Sequence, residues 1–204
     1  MAKLLHIDAS PKASAASRAL AAAFVGAWRK AHPGETVAYR DVGREPPALI
    51  TDAWIAAAYG PAPDAPEHRA TLSESNALID EFLAASRVVL STPMHNFNVP
   101  AALKAWIDNI VRPGRTFRFT AEGLKGLAEG RKVLVITSRG GIYTPGSPGA
   151  VFDHQEPFLR DVFGFMGVKD VTFVHAQGAN LGEETREKGL EEARRRLDDL
   201  AKTW

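Results

Sequence analysis

The sequence predicts a doubly wound α/β protein, and two patterns predict it: near-continuous apolar, β-branched runs of strand length, and segments of helical period lying between them. Strands buried on both faces of a parallel sheet show such unbroken apolarity, whereas half-buried strands alternate. Size agrees: 204 residues, 45% hydrophobic and 24% charged, suit one core spanning 1–204.

The first strand is expected from Lys3 to Asp8. Leu20, Phe24 and Trp28 then recur every four residues, with Ala21 and Val25 beside them, and His32-Pro33-Gly34 ends that helix. A second strand is expected from Glu35 to Arg40. Between Asp41 and Ala70 the rhythm breaks: Pro46-Pro47, a short helical stretch around Leu49 to Tyr59, then Pro61, Pro63 and Pro66. This proline-rich excursion, at about 41–70, is placed to cover a site or meet a partner chain, with Trp54 and Tyr59 as interface candidates. Leu72, Leu78, Ile79, Phe82 and Leu83 form the next helical stripe, followed by a strand at Arg87 to Ser91. Leu103, Trp106, Ile107 and Ile110 precede the strand Lys132 to Thr137. A helix at Phe158 to Met166, a fifth strand at Asp170 to His175 and a stripe of Leu190, Ala193, Leu197, Leu200 and Trp204 complete five parallel strands with helices on both faces.

Twenty-five Lys and Arg against 24 Asp and Glu give a charge of +1, which leaves no basic stripe for a nucleic-acid partner. Without cysteine there is no disulfide, thiolate nucleophile or Cys-ligated metal. The six histidines include no His-Glu-x-x-His pair, no Gly-x-Ser-x-Gly elbow occurs, and no metal is expected. The N-terminal apolar run is too short for a signal peptide or a membrane span, so a soluble cytoplasmic protein that does not engage membranes is expected.

Ligands of such sheets bind at the carboxyl ends of strands, where strand order reverses. After the first strand comes Asp8-Ala9-Ser10-Pro11-Lys12-Ala13-Ser14-Ala15-Ala16-Ser17-Arg18. A helix N-terminus with small residues and the hydroxyls of Ser10 and Ser17 suits a phosphate; Ser14 or Ser17 as a simple helix cap explains the same residues. After the third strand, two prolines bracket Met94-His95-Asn96-Phe97-Asn98-Val99, a stiff loop whose backbone groups and apolar bodies suit a flat heteroaromatic ring. Core packing of Met94 and Phe97 is the alternative. After the fourth strand, Ser138-Arg139-Gly140-Gly141 permits close backbone approach and dihedrals closed to other residues, or makes a sharp turn.

Four segments in order, Ser10-Pro11-Lys12, Pro93 to Pro100 with Leu103-Lys104-Ala105-Trp106-Ile107-Asp108, Gly114-Arg115-Thr116-Phe117-Arg118-Phe119, and Ile136 to Tyr143, resemble the FMN-dependent NADH azoreductases and related NAD(P)H:quinone oxidoreductases. The resemblance covers most of the chain and implies a flavodoxin-like fold, a homodimer, and FMN held where the three loops converge. By motif, Ser10, Ala15, Ala16 and Ser17 would hold the phosphate, the alanines through backbone N–H only. Met94, His95, Asn96 and Phe97 with Ser138, Arg139, Gly140 and Gly141 would flank the isoalloxazine, and Phe119 and Phe163 would wall the substrate pocket, with ordinary core or interface packing of these two aromatics as the alternative. The chemistry would sit on flavin N5, with no catalytic side chain: NADH or NADPH gives hydride, then a quinone or azo compound takes its place in a ping-pong cycle. The family commonly has tyrosine or tryptophan where this chain has His95, which makes His95 a candidate modulator. An electron-carrier flavodoxin and a non-catalytic flavodoxin-fold module are the rival readings. The charge balance speaks against a carrier's acidic face.

Overall fold

A computed structural model describes residues 4–60 and 65–204. Lys3, Pro61 and Pro63, named above, lie outside the described residues. The elements are β1 (Leu4–Asp8), α1 (Ala16–Ala31), β2 (Val37–Asp41), α2 (Asp52–Tyr59), α3 (Pro66–Arg69), α4 (Ser73–Ala84), β3 (Arg87–Pro93), α5 (Ala101–Ile110), β4 (Phe117–Thr120), β5 (Gly123–Gly126), β6 (Lys132–Ser138), α6 (Gln155–Phe165), β7 (Asp170–Ala176) and α7 (Glu183–Leu200). The main sheet has five strands in the order β2-β1-β3-β6-β7, all neighbours parallel.

Continuous apolarity has the anticipated cause. Leu5, Ile7, Val88, Leu90, Val133 and Val135 point into one core with α4, α5 and α6. Their neighbours Leu4, Val89, Leu134 and Ile136 point into a second core with α1 and α7. Each central strand is therefore apolar on both faces. The short helix within the proline-rich stretch forms, as α2, and Trp54 folds inward against Ala57, Ala58 and Leu72 while Tyr59 stays exposed. Thr51 starts α2 by accepting the Trp54 N–H.

Beyond the five strands lies an antiparallel hairpin, β4 with β5. It docks through Gly126, where an added Cβ would stand 2.2 Å from the Gly167 nitrogen.

Strand order reverses between β1 and β3. Connections from β1 run toward β2, those from β3 toward β6 and β7, which opens a crevice above the carboxyl ends of adjacent strands. The loops after β1, β3 and β6 leave from that edge.

Candidate functional site

The loop after β1 delivers its chain directly into α1. Ala15 occupies the cap position and offers no side-chain acceptor, and neither Ser14 nor Ser17 caps the helix. Ala19 N–H reaches the Ala15 carbonyl, so the preceding N–H groups of Ala16, Ser17 and Arg18 have no intrahelical acceptor. No acidic residue stands in this first turn. Ser17 is fully buried within it, and its hydroxyl has no hydrogen-bond partner among the described residues. Ser10 is buried as well, its hydroxyl accepting the Lys12 N–H at 3.3 Å and keeping its own proton to donate. Free N–H groups, a positive dipole end and an orphaned hydroxyl make a cradle that could hold an anion.

Beneath this loop lies a polar cluster that motif reading overlooked. Arg18 donates to Asp8 at 3.0 Å, to Asp41 at 2.8 and 2.5 Å and to the Ser10 carbonyl at 3.0 and 2.5 Å. Ser91 and Tyr39 donate to Asp8, and His6 stands 3.3 Å from it. Burial pushes the Asp8 carboxyl up, but the adjacent His6 and the bonds from Ser91 and Tyr39 outweigh it and hold the group below the ordinary range. Asp41 is likewise lowered, burial being overcome by the Arg18 bond and charge. Desolvation with the neighbouring Asp8 carboxylate pushes the Tyr39 hydroxyl up to about 12. The available signal was the run Tyr39-Arg40-Asp41 ending β2 beside β1, visible only once the strands pair.

After β3 the chain makes a tight reversal. His95 N–H donates to the Asn98 carbonyl at 2.9 Å and Asn98 N–H returns the bond at 3.0 Å. Between them Asn96 and Phe97 both take positive φ, 46° and 70°, the pattern of a type I′ turn. Met94 N–H donates to the Ser138 carbonyl, which stitches this loop to β6. Met94 is half-buried; His95, Asn96 and Phe97 are exposed. The Phe97 ring stacks on Phe152, centroids 5.1 Å apart.

The loop after β6 corrects two expectations. Neither Gly140 nor Gly141 takes positive φ. What glycine supplies there is room: a Cβ on Gly140 would stand 2.6 Å from the Asn180 side chain, and one on Gly141 3.1 Å from the Tyr143 ring. Their carbonyls accept from Asn180 and Gly178 N–H, zipping the loop onto the one after β7. Arg139, expected to flank a ring, turns its side chain inward and is 1% exposed. It donates to Asp153 at 2.7 Å and Gln155 at 3.2 Å, and Gln155 donates to the Pro93 carbonyl at 2.8 Å. Burial lowers its pKa, with the Asp153 charge opposing. Ser138, half-buried, remains at the crevice edge. These networks bring the loops after β3 and β6 together, while the loop after β1 joins them through adjacent strands.

The two pocket aromatics separate. Phe119 is 76% exposed on the hairpin. Phe163 is fully buried, packed against Phe82 inside the core, and cannot wall a surface pocket; its place on the inner face of α6, with Leu159, is the reason. No cluster of His, Asp or Glu with metal-ligating geometry occurs among the described residues.

The family model described as flavodoxin-like fold matches residues 2–201. Among curated relatives, FMN-dependent NADH:quinone oxidoreductase 2 of Trichormus variabilis is 50% identical over 208 residues, covering 100% of both chains. FMN-dependent NADH:quinone oxidoreductase 3 of Pseudomonas aeruginosa is 43% identical, covering 100% of this chain and 94% of its own. Among solved structures, an azoreductase from Bacillus anthracis superposes with a TM-score of 0.91 at 27% identity over 100% of both chains. An FMN-dependent NADH-azoreductase from Bacillus anthracis in complex with FMN gives 0.85 at 27% identity over 98% of this chain and 100% of that one. With a flavodoxin-like strand order and this likeness along its whole length, the chain belongs to the FMN-dependent NADH:quinone oxidoreductase and azoreductase family.

Proposed function

We propose that the chain is an FMN-dependent oxidoreductase that takes hydride from NADH or NADPH and reduces quinones or aromatic azo compounds. The observation that carries this reading is the buried, unpartnered Ser17 hydroxyl at an uncapped helix N-terminus, one strand away from the Met94–Asn98 turn. Ser10 and Ser17, with the backbone of Ala15 and Ala16, would hold the phosphate. Met94, His95, Asn96 and Phe97, with Ser138, Gly140 and Gly141, would flank the ring; Arg139 would hold its loop in place from beneath. Bound flavin supplies two-electron chemistry at its ring.

The side chains have correspondingly modest tasks. The Asn96 amide both donates and accepts at a ring's polar edge. Phe97 and Phe152 present an apolar wall that excludes water and suits planar acceptors. Phe119 is free to contribute to the rim. A homodimer belongs to the same reading, supported by exposed Leu49, Ile55 and Tyr59 beside Ile50 and Val111. Sedimentation at micromolar concentration tests it; a monomer there removes that part.

Colour tests the main claim. Apo-protein mixed with FMN should retain the flavin through gel filtration, bleach anaerobically with NADH, and recolour with a quinone or azo dye. Bleaching without recolouring leaves an electron carrier in front, and failure to retain FMN removes the reading altogether.

A further inference from the structure

We propose that Arg18 is the positioning residue of the phosphate loop: its guanidinium draws the Ser10 carbonyl inward, so that only the Ser10 hydroxyl faces an incoming phosphate. This rests on the FMN reading and deepens it, because it assigns selection of a phosphorylated over an unphosphorylated flavin to a residue beneath the loop.

The Ser10-Pro11 peptide has no N–H, since proline supplies none. Its carbonyl oxygen is therefore its sole polar group, and turned outward it would present lone pairs to an anion. Arg18 prevents this by donating to that oxygen from Nε at 3.0 Å and Nη2 at 2.5 Å. The guanidinium is fixed by Asp8 and Asp41, whose two carboxylates outweigh its single charge. Arg18 thus offers the phosphate little net attraction and acts through orientation. Gly43 closes the carbonyl's other side: an added Cβ would stand 2.3 Å from the Ser10 oxygen. Arg18 itself stands in the first turn of α1, next in sequence to Ser17, so its bonds to the Ser10 carbonyl tie the loop to the helix N-terminus. Lysine cannot replace it, because one ammonium point charge does not span two carboxylates and a carbonyl.

The test compares FMN with riboflavin, binding to apo-protein being read by flavin fluorescence quenching. Arg18→Gln and Arg18→Lys should each raise the Kd for FMN about tenfold or more while riboflavin stays within about twofold. Asp41→Asn, which loosens the guanidinium without removing it, should shift FMN in the same direction by less, and it stands in if the Arg18 variants fail to fold. Parallel weakening of both flavins, or no change in FMN affinity for any variant, would overturn the positioning role. If wild-type protein binds neither flavin, the FMN reading itself falls.

Discussion

Phe97 holds a φ of 70°, a conformation that asparagine and glycine adopt far more readily than an aromatic residue. It persists because the surroundings over-determine it: the reciprocal bonds between His95 and Asn98, the Phe152 stack, and the His154 N–H donating to the Phe97 carbonyl at 3.1 Å. The neighbouring Asn96, at 46°, suits the same turn by residue type. Asn96→Val should therefore cost about 1–3 kcal/mol in urea unfolding, and Asn96→Gly less than about 1 kcal/mol. Equal losses would show that the amide side chain, and not the backbone, sets the cost. At His95 the ring is exposed while its N–H and carbonyl are held in the turn, so His95→Tyr should keep FMN but change the rate of quinone turnover. An unchanged rate removes the imidazole from any modulating role. The bracketing prolines announced a stiff loop, not this turn; nothing about a phenylalanine announces a positive φ. Phe163, expected in the pocket wall, is instead buried, and the spacing of Leu159, Phe163 and Met166 at i, i+4 and i+7 is the overlooked signal of an inward helix face.

At the scale of elements, α6 begins where Asp153 accepts the N–H groups of Gln155 and Glu156, each at 3.1 Å. The same carboxylate pairs with Arg139 from the loop after β6, and Gln155 reaches the Pro93 carbonyl at the end of β3. One helix start thereby fixes two site loops. Removing its anchor leaves the Arg139 charge buried without a counterion, so Asp153→Ala should cost about 3–5 kcal/mol by urea unfolding. Asp153→Asn, which keeps an acceptor for the helix, should cost less. Equal stability of Asp153→Ala and wild type would mean that Arg139 finds another partner or solvent. The motif Ser138-Arg139-Gly140-Gly141 was plain in the sequence, but its division of labour was not: which way Arg139 turns depends on Asp153 and Gln155, fourteen and sixteen residues on. The β4–β5 hairpin escaped for a related reason. Both strands are only four residues long, β5 begins and ends in glycine, and most of their residues are exposed, so they carry no apolar run to detect.

For the molecule as a whole, the parallel sheet was readable because burial on both faces writes an unbroken apolar run into each central strand, whereas the order of the strands is written in none of them. The polar networks were not readable either, since they join residues far apart in sequence, and these networks set how the fold meets acid. His175 accepts the Thr137 hydroxyl at Nδ1, 2.8 Å away, and donates from Nε2 to Glu156 at 2.7 Å, a tautomer assigned from the carboxylate being an acceptor only. Burial lowers the His175 pKa below its ordinary 6.5, with the Glu156 bond opposing. The His175 bond, aided by Arg160 and opposed by burial, brings Glu156 down to about 2. With Asp8 and Asp41 also lowered, each of these groups binds protons more weakly folded than unfolded. Their stabilisation is therefore complete above the unfolded pKa values and is lost as pH falls through the folded ones. Thermal midpoints should hold steady from about pH 8 to 7, decline gently below about 6.5 as unfolded histidine takes up a proton, and drop steeply below about 4.5 as unfolded carboxylates do. His175→Gln should remove most of the gentle limb and Glu156→Gln should shrink the steep one. A wild-type midpoint that rises on acidification from pH 7 to 5 would contradict the burial of a neutral imidazole.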